Sequence, residues 1–234
     1  MTITRTMLRT RAIRAADAVG SQDWDTTSGV SGEVDQKLAV NYDREWIRCL
    51  DAEPSLRTGS RVSTSDSSGN YAISDFSSGS GDSRERFHRV LWVVRNGMAY
   101  RPGRLRQHPD PSTLTITNQR EWYRDGSNVV LIPAEASAAA TFKVNHLPPS
   151  ITALSDDSVA ITVPSETQEE TFAEIVALET AADLLNKGGR ETMEATGLRQ
   201  LANDLRQMML ADLARTGEGP VVMQYDDRAS DWAG

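Results

Sequence analysis

Phe87-His88-Arg89-Val90-Leu91-Trp92-Val93-Val94-Arg95-Asn96-Gly97-Met98-Ala99-Tyr100-Arg101 is the stretch on which the reading of this chain turns. A run rich in β-branched and aromatic residues, an Asn-Gly pair and a second short apolar run make the pattern of a tight β-hairpin. Asn96 and Gly97 both tolerate the positive φ that a type I′ turn demands. The same grammar extends in both directions. From residue 56 to residue 150, Ser, Thr, Asn, Asp, Gly and Pro cluster between short Val-, Ile-, Tyr- and Trp-rich runs, which predicts a β region. A second hairpin is expected at Trp122-Tyr123-Arg124, with Asp125-Gly126-Ser127-Asn128 as the turn and Val129-Val130-Leu131-Ile132 returning to Pro133. Further short strands fit 71–76, 114–117, 141–145 and 159–163. Ser77-Ser78-Gly79-Ser80-Gly81-Asp82-Ser83 is too poor in apolar surface to order itself and reads as a mobile loop.

Helical periodicity flanks this region. Leu8, Ala12, Ala15 and Val19 recur at helical spacing. Arg5, Arg9, Arg11 and Arg14 precede the first acid, Asp17, a composition shared by transit peptides, but an ordinary amphipathic helix is the expectation. Over 33–53, Leu38, Tyr42, Trp46, Cys49 and Leu50 fall on one helix face, and Pro54 ends it. After the β region, Ser165 and Gln168 can form a capping box ahead of a helix over 166–187, with Phe172, Ile175, Val176, Leu178, Ala182 and Leu185 as its buried stripe. Gly188-Gly189 breaks it. A second helix over 190–215, with Leu198, Leu201, Leu205 and Met208 in register, should return antiparallel to the first. The expected fold class is α+β: a helical bundle built from 1–56 and 151–216, an inserted antiparallel β domain over 57–150, and an extended C-terminal arm over 217–234. That arm carries Val221, Val222, Met223, Tyr225 and Trp232 in polar surroundings, as a segment that docks on a partner would.

Composition narrows the function. With 234 residues, a net charge of −8 and 38% hydrophobic residues, the chain has mass for a core and is not disordered throughout. A single cysteine allows neither an intrachain disulfide nor a thiolate zinc cluster, and Cys49 on its apolar helix face reads as a buried structural thiol. No apolar run approaches the roughly 18 residues of a membrane span. His88, His108 and His146 show neither metal-ligand spacing nor a triad signature, and no glycine loop for phosphate is present. Neither a catalytic site nor a cofactor or metal is therefore expected. Charge is unevenly spread. Between residues 84 and 106 stand seven arginines against one acid, Glu85, whereas 151–183 holds eight acids and no base. Such asymmetry on an acidic whole favours head-to-tail contact between subunits over duplex wrapping.

The order of elements, with Tyr42-Asp43-Arg44-Glu45-Trp46-Ile47 in the second helix, resembles the head-to-tail adaptor (connector, head-completion) proteins of tailed bacteriophages. The most telling residues are Trp122 to Pro133, which look like that family's aromatic, glycine turn and aliphatic strand ending in proline; Phe142-Lys143-Val144-Asn145-His146-Leu147-Pro148 resembles the next strand and its exit. The resemblance covers most of residues 1 to 216. It implies a structural virion protein at the head–tail junction, assembled in the host cytoplasm as a dodecameric homo-oligomeric ring that joins portal to tail and passes double-stranded DNA without reading its sequence. It further implies partners in the portal and tail-completion proteins, and a portal-binding arm at Val221, Val222, Met223, Tyr225 and Trp232. Glu166, Glu169, Glu170 and Glu174 become candidates for an acidic channel lining, and Arg84, Arg86, Arg89 and Arg95 for the subunit interface. The alternative is a β-sandwich glycan-binding or other virion accessory module presenting Trp92, Tyr100, Trp122 and Tyr123, although hairpin alternation turns some of those rings inward.

Overall fold

Four helices and seven strands account for the residues that the computed structural model describes, namely 3–17, 32–77, 85–103, 120–153, 159–186 and 192–216. Helix α1 spans Arg5–Asp17 and α2 spans Glu33–Ala52. On α2, Leu38, Tyr42, Trp46, Cys49 and Leu50 are all buried, as their spacing predicts. A three-ten turn at 166–168 leads into α3, Glu169–Leu185, and α4 follows at Met193–Thr216. Helix α3 is buried on nearly every side, and α1, α2 and α4 all pack against it. Gln168 bonds Asp212 near one end of the α3–α4 pair and Arg199 bonds Asp183 near the other, so the two helices run antiparallel as expected.

The capping box does not form. The Ser165 hydroxyl accepts from the Thr167 amide, and the Gln168 side chain is occupied with Asp212. The buried stripe of α4 is also displaced from the expected one: Ala195, Ala202, Met209 and Leu213 lie in the core with Leu198 and Leu205 packed beside them, while Leu201 and Met208 face out.

The strands are β1 Thr58–Thr64, β2 Asn70–Ala72, β3 Arg86–Arg95, β4 Met98–Pro102, β5 Glu121–Asp125, β6 Asn128–Ile132 and β7 Ala139–Leu147. They form one sheet in the order β1-β7-β3-β4-β5-β6-β2. Pairing is antiparallel except between β4 and β5, which run parallel at Arg101–Glu121 and Pro102–Trp122. The two edge strands, β1 and β2, are consecutive in the chain. Their turn, closed by the Asp66 amide on the Asn70 carbonyl at 2.9 Å and tied to the β6–β7 connection by the Ser65 amide on the Ala138 carbonyl, draws the sheet ends together into a nearly closed barrel. Tyr71, Phe76, Tyr100, Val129, Leu131, Phe142 and Val144 fill it, with the Phe142 ring 5.0 Å from Tyr71 and 4.6 Å from Phe76.

This overturns the expected helical bundle carrying a small antiparallel β insertion. The β part is a seven-stranded mixed sheet with an interior of its own. Hairpin patterns foretell only pairs adjacent in sequence, whereas closure depends on β7 joining β1 to β3 and on the parallel β4–β5 pair. Strand β1 was not expected. Of the predicted strand at 71–76 only the start is strand; a three-ten turn, Ile73–Phe76, takes the rest. Residues 159–163 form no strand either, because their backbone serves the helices: the Ile161 amide donates to the Ile3 carbonyl, and the Thr162 carbonyl accepts from both Tyr42 Oη and Trp46 Nε1. The expected strand at 114–117, most of the Ser/Gly loop and the Gly188-Gly189 break lie outside the described residues.

Both hairpins form. Asn96 and Gly97 adopt φ of 53° and 75°, as a type I′ turn requires. The second turn is tighter than expected, since Asp125 and Asn128 pair and only Gly126 and Ser127 loop out. Along β3 the register against β7 shifts between Phe87 and Arg89 and again between Val90 and Trp92. These irregularities place both Val90 and Val93 inside and leave Trp92 partly exposed.

Candidate functional site

Where α2 hands the chain to β1, the helices and the barrel are stitched together by side chains from two strands. Asn145 of β7, fully buried, donates to the carbonyls of Pro54 at 2.5 Å and Arg57 at 3.1 Å and accepts from Arg89 Nε at 3.1 Å. Arg89 of β3 also donates to the Leu50 carbonyl and to Asp51, at 2.7 and 2.8 Å. Two turns earlier on α2, Asp43 takes both terminal nitrogens of Arg86, whose guanidinium also reaches the Pro148 carbonyl. A planar guanidinium can serve a carboxylate fork and a carbonyl at once, which a lysine ammonium could not do with the same geometry.

Beside this seam opens a cleft of about 300 Å³ lined by Ser55, Leu56, Arg57, Thr58, Glu85 and His146. Arg57 lies over the Trp46 ring, 5.8 Å from its centroid, and bonds Glu85. Arg61 Nη2 stands 3.9 Å and His146 Nδ1 3.8 Å from the same carboxylate. His146 is almost fully buried, and its Nε2 lies 2.8 Å from the Phe76 carbonyl. A carbonyl only accepts, so Nε2 carries the hydrogen and Nδ1 is left toward Glu85. A Cβ on Gly59 would stand 2.8 Å from His146 Cε1, so glycine is what admits the ring. Both Arg57 Nε and Arg61 Nε are buried and make no hydrogen bond.

A second charged cluster joins α2, α3 and α4. Arg206 donates through Nε to both oxygens of Glu45, at 3.0 and 2.9 Å, and through Nη2 to Glu179 at 2.5 Å; all three are buried. Burial alone would lower the Arg206 pKa, but the Glu45 and Glu179 carboxylates outweigh it and raise it. Arg48 supplies a second cation, its Nη1 3.0 Å from Glu45 and 3.8 Å from Glu179, so the charges are matched within the cluster, a structural arrangement. Cys49 is fully buried nearby, and burial first, then Glu45, push its thiol well up, away from the reactive thiolate. Among the described residues no group of three or more His, Cys, Asp or Glu is placed to hold a metal, and no helix is long and apolar enough to cross a membrane.

The residues singled out from the sequence are dispersed. Arg86 and Arg89 come together on α2, whereas Arg95, at the far end of β3, stacks on Tyr100 at 5.2 Å and donates to the Pro133 carbonyl. Arg84 and the arm residues Val221, Val222, Met223, Tyr225 and Trp232 lie outside the described residues. Of the acids, Glu169 accepts from the Ile3 amide at 2.7 Å and Glu170 pairs with Arg11, both binding α3 to the first helix. Glu166 is exposed and Glu174 half-buried. Of the four aromatics weighed for sugar binding, Tyr100 and Tyr123 are buried, Trp122 is half-buried and Trp92 alone stands out. Arg57, Arg61, Glu85 and His146 had no sequence signal as a group, since their convergence depends on the pairing of β1 and β3 with β7. Comparison of the chain with protein-family models and with curated proteins finds no match.

Proposed function

We propose that this protein is a structural virion component, a homo-oligomeric ring that joins portal to tail and lets double-stranded DNA pass. The observation that carries the reading is the outward face of α4. Leu201 and Met208, two turns apart on that face, are exposed at 49% and 63% on either side of Asp204. On a chain of net charge −8, two large apolar side chains turned to solvent favour burial against another copy. The same helix leads directly to residues 217–234, the segment assigned to the portal. In this reading Arg86 and Arg89 set the pose of the barrel on the helices, and α4 supplies subunit contact. Glu166 and Glu174 remain the acids with which the ring would repel passing phosphate.

Light scattering across a concentration series, followed by electron microscopy of the assembled species with portal protein, tests the proposal. Rings that bind portal through the arm are the expected result. A chain that stays monomeric at all concentrations and ignores portal would overturn it.

A further inference from the structure

We propose that α4 docks on the outer face of β1, β7 and β3 of a neighbouring copy of this chain, a contact that rests on the ring reading and gives it its second surface. Strand register sets that face. Phe142 of β7 and Val93 of β3 are partners and fill the barrel, so the pairs on either side of them turn outward: Val62 with Thr141 and Val94, and Ser60 with Lys143 and Trp92. Val62 is 72% exposed and Trp92 39%, and the half-buried Lys143 stands on the strand between them. This patch matches the outward face of α4 in spacing and in charge. Leu201 and Met208 are about 10 Å apart along their helix, while Val62 and Trp92, two strands and two residues apart, are separated by about 12 Å. Asp204 lies between the first pair as Lys143 lies between the second. Asp204 accepts from Gln200 at 3.0 Å, but among the described residues neither Asp204 nor Lys143 makes an ion pair. Residues 60–64, 92–94 and 139–143 include no acid that would oppose Asp204. Laid together, each apolar pair covers the other and the two unmatched charges meet. Within its own copy α4 packs on α3 and α2, so the two patches are separate surfaces of one chain. Contact between unlike patches repeats from copy to copy and can close a ring, whereas α4 against α4 would stop at a dimer.

Light scattering and sedimentation of the full chain test the contact, as wild type, as Val62→Glu, Lys143→Glu and Asp204→Lys, and as the exchange that combines the last two. Each single substitution should weaken self-association about tenfold or more, and the exchange should recover most of it, because the charges meet again with their signs reversed. A mixture of Val62→Glu with Leu201→Glu gives the sharper reading. Each of these variants keeps one intact face, so neither assembles by itself and the two together should form a one-to-one dimer and nothing larger. Circular dichroism identifies the variants that are folded, and where Lys143→Glu is not, Val62→Glu and the mixture decide. Assembly that ignores Val62→Glu, or a mixture that forms no dimer, would overturn the sheet face as the receiving surface and leave the ring standing. A wild type that stays monomeric at every concentration would overturn both. Dimers or open chains of wild type that are lost in these variants would support the contact and overturn the closed ring.

Discussion

Arg206 is the residue whose removal the helical layer should tolerate least. It is the cation between Glu45 and Glu179, and both carboxylates are buried. Arg206→Ala would leave the two buried carboxylates with only the more exposed Arg48 and Arg199 as cations, and a loss of about 3 kcal/mol is expected from urea unfolding. His88, on β3, poses a gentler test. Burial first, and Arg89 second, hold its pKa below the usual value, so the folded state prefers the neutral ring. The unfolded chain therefore takes up the proton first. Stability is full above roughly pH 6.5 and declines as the pH falls below it. In His88→Gln that part of the decline should disappear from a series of thermal melts between pH 7.5 and 5; an unchanged slope would assign it to other groups.

At the scale of elements, the β3–β4 hairpin and the seam on α2 make separate demands. Gly97 has a φ of 75°, where a side chain is strained although nothing crowds it, so Gly97→Ala should cost about 1 kcal/mol through the backbone alone. The Arg86–Asp43 pair is partly exposed, and a double-mutant cycle should return a coupling of about 1 kcal/mol or less. A coupling near zero would mean that the Pro148 carbonyl, rather than the ion pair, anchors Arg86. The hairpins and the face of α2 were legible because they obey local rules: a turn needing positive φ, and a period of 3.6. Helix α4 was harder to read. Its larger residues, Leu201 and Met208, look like core, yet the buried positions belong to Ala195, Ala202, Met209 and Leu213. Packing against α3 and the need to bury Arg206 beside Glu45 and Glu179 set the rotation of the helix, and neither is visible in its own periodicity.

For the whole molecule, the proposed ring makes the outward face of α4 the part to alter. Leu201→Glu and Met208→Glu place charge on a surface already in water, so the melting temperature of the monomer should change by no more than about 2 °C while assembly, read by light scattering, is lost. Retained assembly would move the subunit contact elsewhere. The sequence by itself determined the two hairpins, the buried face of α2, the antiparallel α3–α4 pair and the burial of Cys49, because each depends on spacing within one segment or across one short connection. Only the tertiary structure decided that the sheet nearly closes, that register shifts turn Trp92 outward, that 159–163 serves the helices instead of the sheet, and that Arg57, Arg61 and His146 gather around the Glu85 carboxylate. Those outcomes rest on contacts between residues far apart in the chain, where the pairing of β7 with both β1 and β3 settles which side chains become neighbours.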